Sequence, residues 1–179
     1  MSPKNKTLKM KINALMINSS LCIGCQSCEV ACKLEHDMPQ GPRPVKIIQV
    51  GPFDEEGRLF MTFQAVTCYH CDRPQCVTAC PTGAMQKRDD GIVFSDPQLC
   101  IGCQTCAVAC PYGIPELNPA TGKIAKCDGC KDRVDIGLWP ACALICPTGA
   151  MAFGSPLKVV QDMRTIEAVK IVKSLKIES

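Results

Sequence analysis

Hydrophobic and polar residues alternate in this chain only over short stretches, so the elements they predict are short. Residues 10–18 and 58–66 alternate well enough to be strands. Ala84 to Phe94 has the pattern of a hairpin turning at Asp89-Asp90-Gly91. Asn118-Pro119-Ala120-Thr121-Gly122 gathers turn formers and is expected to swing the chain into another strand. Ser155-Pro156 has the form of a helix start, N-cap then first helical position. The segment from there to Leu175 is predicted as an amphipathic helix with Val159, Met163 and Ile166 turned inward. Short strands and short helices together predict an α+β protein.

One stretch has a different pattern. Ile136 to Leu157 runs 22 residues without a charge, long enough for a membrane span. Pro140, Pro147 and Pro156 interrupt it, with three glycines and two cysteines, so it is expected to be a loop and no membrane insertion is predicted. Near the start, Lys4, Lys6, Lys9 and Lys11 precede a short apolar run, Ile12 to Ile17. That run is too brief for a signal-peptide core, and no cleavage site or twin-Arg pair accompanies it. A cytoplasmic location is the expectation.

The chain has 179 residues, enough for one domain or two small ones, but only 4% are aromatic. A core this poor in large rings needs another source of cohesion. Sixteen cysteines supply the candidate. They fall into four groups: Cys22, Cys25, Cys28, Cys32; Cys68, Cys71, Cys76, Cys80; Cys100, Cys103, Cys106, Cys110; and Cys127, Cys130, Cys142, Cys146. The third group reads C-x2-C-x2-C-x3-C-P, the ligand run of a bacterial [4Fe–4S] ferredoxin. Disulfides suit small secreted chains, and no secretion signal is expected here. Structural zinc accounts for paired C-x2-C units, but it needs neither the third Cys nor the fourth followed by Pro. Sixteen thiolates match four cubanes with no spare ligand. Because metal binding and folding are coupled in such domains, the metal-free chain is expected to be largely unfolded. The formal charge of +3 counts thiols as neutral. Four oxidised cubanes bring the filled protein to about −5, which removes the apparent case for nucleic acid.

The groups are an internal repeat. The first, CIGCQSCEVAC from Cys22, and the third, CIGCQTCAVAC from Cys100, differ at two of eleven positions. The second and fourth share Cys-Pro-Thr-Gly-Ala-Met, from Cys80 and from Cys146. A ferredoxin unit needs two such motifs, because the last Cys of each reaches across to the other cluster, so two units are expected. A short helical turn such as Val77 to Ala79 would carry each last ligand, stopped by Pro81, Pro111 or Pro147. Lys33 stands in that place in the first motif, ahead of a longer connection through Pro39, Pro42 and Pro44.

Cys68 to Cys80, with Pro74 ahead of the third Cys, and Cys127 to Cys146, with eleven residues between its second and third ligands, are specific in combination. They resemble the four-cluster iron–sulfur subunits of dimethyl-sulfoxide-reductase-type complexes, a family whose relatives serve formate dehydrogenases, hydrogenases and carbon-monoxide dehydrogenases. The resemblance covers about residues 12–155. It implies nested pairing, first motif with fourth and second with third. One cluster would take Cys22, Cys25, Cys28 and Cys146, and a second Cys32, Cys127, Cys130 and Cys142. A third would take Cys68, Cys71, Cys76 and Cys110, and a fourth Cys80, Cys100, Cys103 and Cys106. Residues 12–57 and 111–155 would then form one discontinuous ferredoxin-like unit, 58–110 an inserted second, and 156–179 a helix and tail. The chain is shorter than many such subunits and is expected to lack an extended tail for gripping a membrane anchor. It is also similar to small partners of tungsten enzymes of the aldehyde:ferredoxin-oxidoreductase type, including benzoyl-CoA reductases.

The resemblance implies an electron-transfer subunit docked to a large catalytic redox subunit, with a molybdenum or tungsten pterin favoured and room for a further electron-donor subunit. A freely diffusing polyferredoxin and a zinc-dependent scaffold are the alternatives. No phosphate loop, Ser–His–Asp set or paired carboxylates are evident, and catalytic residues are not expected. His70, inside the second motif, and His36 are expected beside a cluster or on the surface rather than as ligands. Trp139 is expected either to shield a cluster or to meet a partner. Gly24 and Gly102 are expected to let backbone N–H groups approach cluster sulfurs.

Overall fold

The computed structural model describes residues 14–174. In chain order these form β1 (Ala14–Ile17), a 3-10 turn (Ser19–Leu21), α1 (Ser27–Glu35), β2 (Lys46–Glu55), β3 (Arg58–Val66), α2 (Gln75–Thr78), β4 (Met85–Lys87) and β5 (Val93–Ser95). There follow α3 (Thr105–Ala109), β6 (Glu116–Asn118), β7 (Lys123–Ala125), α4 (Lys131–Asp135), α5 (Ala141–Leu144), β8 (Met151–Gly154) and α6 (Pro156–Ser174). The result is a small α+β domain of two-stranded antiparallel sheets and short helices, followed by a C-terminal helix.

Sheet pairing follows two rules. Three sheets are local hairpins: β2 with β3, β4 with β5, and β6 with β7. The fourth joins the ends of the fold, β1 with β8, with Ala14 opposite Gly154 and Ile17 opposite Met151. The predicted hairpin about Asp89-Asp90-Gly91 is present, and so is the turn at 118–122 leading into β7. The strand expected at 58–66 is β3. Of the strand expected at 10–18, residues 14–17 are β1, and residues 10–13 lie outside the described residues.

β2 has no counterpart in the alternation. Its pattern is broken by Gly51-Pro52, where the register shifts between Val50 and Phe53. Pairing with β3 carries the strand across that irregularity, which local pattern alone does not reveal. Glu56 and Gly57, at φ +54° and +80°, make the tight turn whose twist suits a hairpin.

Prolines stop the motif helices as expected. α3 ends at Ala109, two residues before Pro111. α1 has Lys33 where α3 meets its stop, and it runs on to Glu35. Lys33 Nζ then donates to the carbonyl of Pro39 at 2.6 Å, so the substitution that lengthens the helix also ties down the following loop. Glu29, buried on α1, accepts from the backbone N–H of Ile47 and from Arg43 Nη1, joining α1 to the start of β2.

Two buried clusters hold the interior. One gathers Cys76, Ala84, Met85, Val93, Cys100, Cys106 and Ile124. The other gathers Cys28, Cys32, Val45, Cys142, Ala143 and Met151, with Leu15, Ile17 and Cys146 against it. Helix contacts follow the same division: α1 meets α5, and α2 meets α3. Two exposed-edge ion pairs cross between distant segments, Arg88 with Asp135 and Arg133 with Glu35.

The C-terminal helix begins at Pro156 as expected, but it is not the predicted amphipathic cover. Its main contacts are with β8 and β1. Val159 is buried, Met163 is 36% exposed, and the Ile166 side chain lies outside the described residues. Leu157, Val160, Val169, Ile171 and Val172 are exposed. The apolar residues lie all around the helix, so no single face can be buried against the domain. Among the described residues, no helix is long and apolar enough to cross a membrane.

Candidate metal centre

The sequence repeat is a geometric repeat. Gln26 and Gln104 both precede their helices at φ +60°, and Pro74 and Pro140 both cap the next pair, α2 and α5. Gly83 and Gly149, at φ +68° and +67°, turn the chain left-handed after Cys80 and Cys146. That turn aims successive backbone N–H groups at the preceding sulfur, a small anion-binding nest. Burial raises each thiol. The N–H groups of Met85, Thr82 and Ala84 about Cys80, and of Met151, Thr148 and Ala150 about Cys146, outweigh it, together with the Thr82 and Thr148 hydroxyls. Both thiols therefore lie below their ordinary range.

All sixteen cysteines are free thiols. Cys22, Cys25, Cys28 and Cys146 line one pocket. Cys80, Cys100, Cys103 and Cys106 line another. Cys32, Cys127, Cys130 and Cys142 lie around a cavity of about 320 Å³, which Cys68 also borders. Cys76 feels the charges of Cys68 and Cys110. Cys71 is half-buried and follows Cys68 by three residues, so chain connectivity keeps it near that group.

Burial dominates the electrostatics. It pushes Cys28, Cys106 and Cys130 up to about 11. Cys32 and Cys142 rise further, by burial and by the charges of neighbouring thiols. Cys103, which is exposed, lies below its usual range because the hydroxyl and N–H of Thr105 point at it. Crowded buried thiols favour the proton over the charge unless a cation takes the proton's place. That donor chemistry, sulfur-only and gathered from distant motifs, fits iron–sulfur clusters.

Neither histidine is an isolated surface ring. His36 ends α1, and its Nε2 lies 3.5 Å from Cys130 Sγ and 3.4 Å from an Asp128 oxygen. These three residues place donor atoms within 4.8 Å of one another. His70 has its Nε2 3.7 Å from Cys127 Sγ. Both sit beside thiols, on partners 94 and 57 residues away that could not be named from sequence. Trp139 is exposed, while Pro140 lines the large cavity.

Backbone N–H groups at 3.4 Å from a sulfur come from His70, Gly129 and Ile124. Gly24 and Gly102 serve close packing: an added Cβ would lie 2.6 Å from the Phe63 ring and 2.2 Å from the Gly122 carbonyl oxygen respectively.

Paired ligand loops, local hairpins and closed sets of free thiols define an iron–sulfur protein of ferredoxin type. The chain belongs to the 4Fe-4S dicluster domain family, matching it over residues 59–156 and again over residues 21–84. It is 41% identical over 162 residues to a probable anaerobic dimethyl sulfoxide reductase chain, YnfG, of Escherichia coli (strain K12), covering 86% of this chain and 78% of that one. It is 42% identical over 145 residues to a second anaerobic dimethyl sulfoxide reductase polypeptide of the same strain, covering 77% and 71%. To the thiosulfate reductase electron transfer subunit PhsB of Salmonella typhi it is 44% identical over 135 residues, covering 74% and 70%.

Proposed function

We propose that this chain is an electron-relay subunit carrying four [4Fe–4S] clusters, passing electrons to or from a larger catalytic redox subunit. The ligand sets are the nested ones: Cys22, Cys25, Cys28, Cys146 (set one); Cys32, Cys127, Cys130, Cys142 (set two); Cys68, Cys71, Cys76, Cys110 (set three); and Cys80, Cys100, Cys103, Cys106 (set four). Residues 12–57 with 111–155, and 58–110, are the two ferredoxin-like units, and 156–179 the helix and tail.

The observation that carries this reading is that free thiols from distant motifs line common pockets: Cys22, Cys25 and Cys28 with Cys146, Cys80 with Cys100, Cys103 and Cys106, and Cys32 with Cys127, Cys130 and Cys142. A bound cluster takes up and returns single electrons without making bonds to a substrate. Four protein ligands per group leave no position for one. Electrostatic neighbours also support a linear order. Cys142 feels Cys28, Cys68 feels Cys127, and Cys106 feels Cys76, which links set one to two, two to three, and three to four.

The names of the relatives support a reductase as partner, and a molybdenum- or tungsten-pterin enzyme is the proposed class. A further donor subunit at the other end of the relay and a cytoplasmic setting complete the proposal. The test is anaerobic purification from the native cell. About sixteen iron and sixteen sulfide per chain are expected, together with a much larger protein carrying molybdenum or tungsten. Stoichiometric zinc without sulfide refutes the clusters. A free monomer at physiological salt, fully loaded with iron, replaces the subunit by a diffusing carrier.

A further inference from the structure

Two side chains outside the sixteen thiols are fastened to the backbone of one buried residue, Val93. Val93, 1% exposed at the start of β5, donates its N–H to His70 Nδ1 at 2.9 Å. Its carbonyl accepts from Lys126 Nζ, which also donates to the carbonyl of Cys127. Lys126 is 6% exposed. Both of these partners are neutral carbonyls, so they satisfy the ammonium's hydrogens without cancelling its charge.

The Val93 bond decides what His70 can do. An Nδ1 that accepts a backbone N–H carries no proton, so the neutral ring keeps its proton on Nε2. That nitrogen lies 3.7 Å from Cys127 Sγ. The imidazole is thereby a donor to a set-two sulfur. The backbone N–H of the same residue points at Cys68 Sγ, 3.4 Å away, in set three. Lys126 acts on the same place. Burial pushes the Cys68 thiol up, but the His70 hydrogen bond and the Lys126 charge outweigh it. At Cys76 burial wins, with Lys126 working against it.

The outer sets differ in their side-chain donors to sulfur. Cys80 in set four and Cys146 in set one have the neutral hydroxyls of Thr82 and Thr148 at 3.7 Å, while in set four Lys123 Nζ donates to the carbonyl of Cys100. Reduction adds one electron to a cluster, and in a buried place that charge is stabilised by a donor to sulfur and by a nearby cation.

We propose that His70 and Lys126, held by the backbone N–H and carbonyl of Val93, raise the reduction potentials of the second and third clusters at the junction between them. They are positioning residues for the relay, and their effect is confined to its middle. This rests on the four-cluster reading above.

The experiment uses the loaded chain, or its native complex, prepared without oxygen. Iron and sulfide are counted first; a wild-type chain without them refutes the four-cluster reading before this inference is reached. Potentiometric titration followed by electron paramagnetic resonance then compares wild type with Lys126→Met, Lys126→Arg, His70→Asn and His70→Gln. Asn tolerates the φ of +45° at position 70 but is too short to span from Val93 to Cys127. Lys126→Met is expected to lower the equilibrium constant for reduction of a middle cluster about tenfold, which is about 59 mV for a one-electron couple. Lys126→Arg restores it. His70→Asn lowers the Cys127 cluster, His70→Gln recovers part of the loss, and the two outer clusters do not move. Unchanged potentials in a Lys126→Met protein with full iron overturn the inference, as do equal shifts at all four clusters. If Lys126→Met loses iron, His70→Asn decides: an unchanged middle pair there overturns it equally.

Discussion

Nested pairing makes a quantitative claim about double substitutions. Cys25 and Cys146 are 121 positions apart, yet they line the same pocket with Cys22 and Cys28. Cys25 is exposed, so Cys25→Ala removes a ligand without opening the core, and its cost to the fold apart from the metal is within about 0.5 kcal/mol. Cys146 is half-buried, and Cys146→Ala leaves the N–H groups of Met151, Thr148 and Ala150 without their sulfur acceptor, each a loss of about 1 kcal/mol. Cys146 also packs against the buried cluster that includes Met151 of β8, so its truncation loosens that packing as well. Each single variant is expected to lose one cubane, leaving about twelve of sixteen irons. In the nested arrangement both ligands serve the same cluster, so Cys25→Ala with Cys146→Ala also retains about twelve. Cys25→Ala with Cys110→Ala strikes sets one and three and retains about eight. If the motifs pair in chain order instead, Cys146 completes the cluster held by Cys100, Cys103 and Cys106. The first double variant then falls to about eight. Iron and sulfide analysis of anaerobically purified protein, with spin counting of the reduced forms, separates the outcomes. About eight irons in the Cys25→Ala, Cys146→Ala protein refutes nested pairing.

Three further expectations come from the site and its frame. Cys28, Cys106 and Cys130, pushed up to about 11 by burial, keep their protons in the empty fold at neutral pH. The metal-free chain is expected to be largely unfolded, and in its folded fraction their contribution is full below the ordinary thiol value near 9 and is lost as pH rises through about 11. Ligation needs the thiolate, so cluster loading releases protons and strengthens as pH rises from about 7 to about 9; reconstitution yields independent of pH would contradict this. Gly102→Ala is expected to cost about 3 kcal/mol or more, from a left-handed backbone and from a Cβ 2.2 Å from the Gly122 carbonyl oxygen. Gly57→Ala, also left-handed but with nothing within 4 Å, should cost only about 1–2 kcal/mol. Anaerobic guanidinium unfolding of the loaded proteins measures the difference, and equal midpoints for the two would be the contrary result. Ending the chain after Val160 removes a helix segment exposed to solvent and should leave iron content unchanged; loss of iron would show that the distal helix supports the clusters.

Much of this protein is legible in its sequence because its chemistry is local. Cysteine spacing is a covalent property: three thiols within seven residues, then a fourth, declare a sulfur-bound metal whatever the rest of the chain does. The prolines after Cys110 and Cys146 act through their own backbone torsions, which is why the helix stop at Ala109 could be foreseen; the extension of α1 to Glu35, where Lys33 replaces the proline, emerged only in the structure. Turns at Asp89-Asp90-Gly91 and at 118–122 were visible for the same reason.

What the tertiary structure alone decided is which distant pieces meet. Two kinds of half-site alternating along a chain can pair in chain order or in nested fashion, and spacing is identical either way. The closure of β1 on β8 brings Cys28 beside Cys142. The same folding sets His36 against Cys130 and His70 against Cys127. β2 needed its partner β3 to bridge the break at Gly51-Pro52, and α6 carried its apolar residues on every side, so neither could be judged without its surroundings. Ligand type is encoded in bonds between neighbours, but ligand partnership depends on through-space contacts whose energy exists only once the chain has closed.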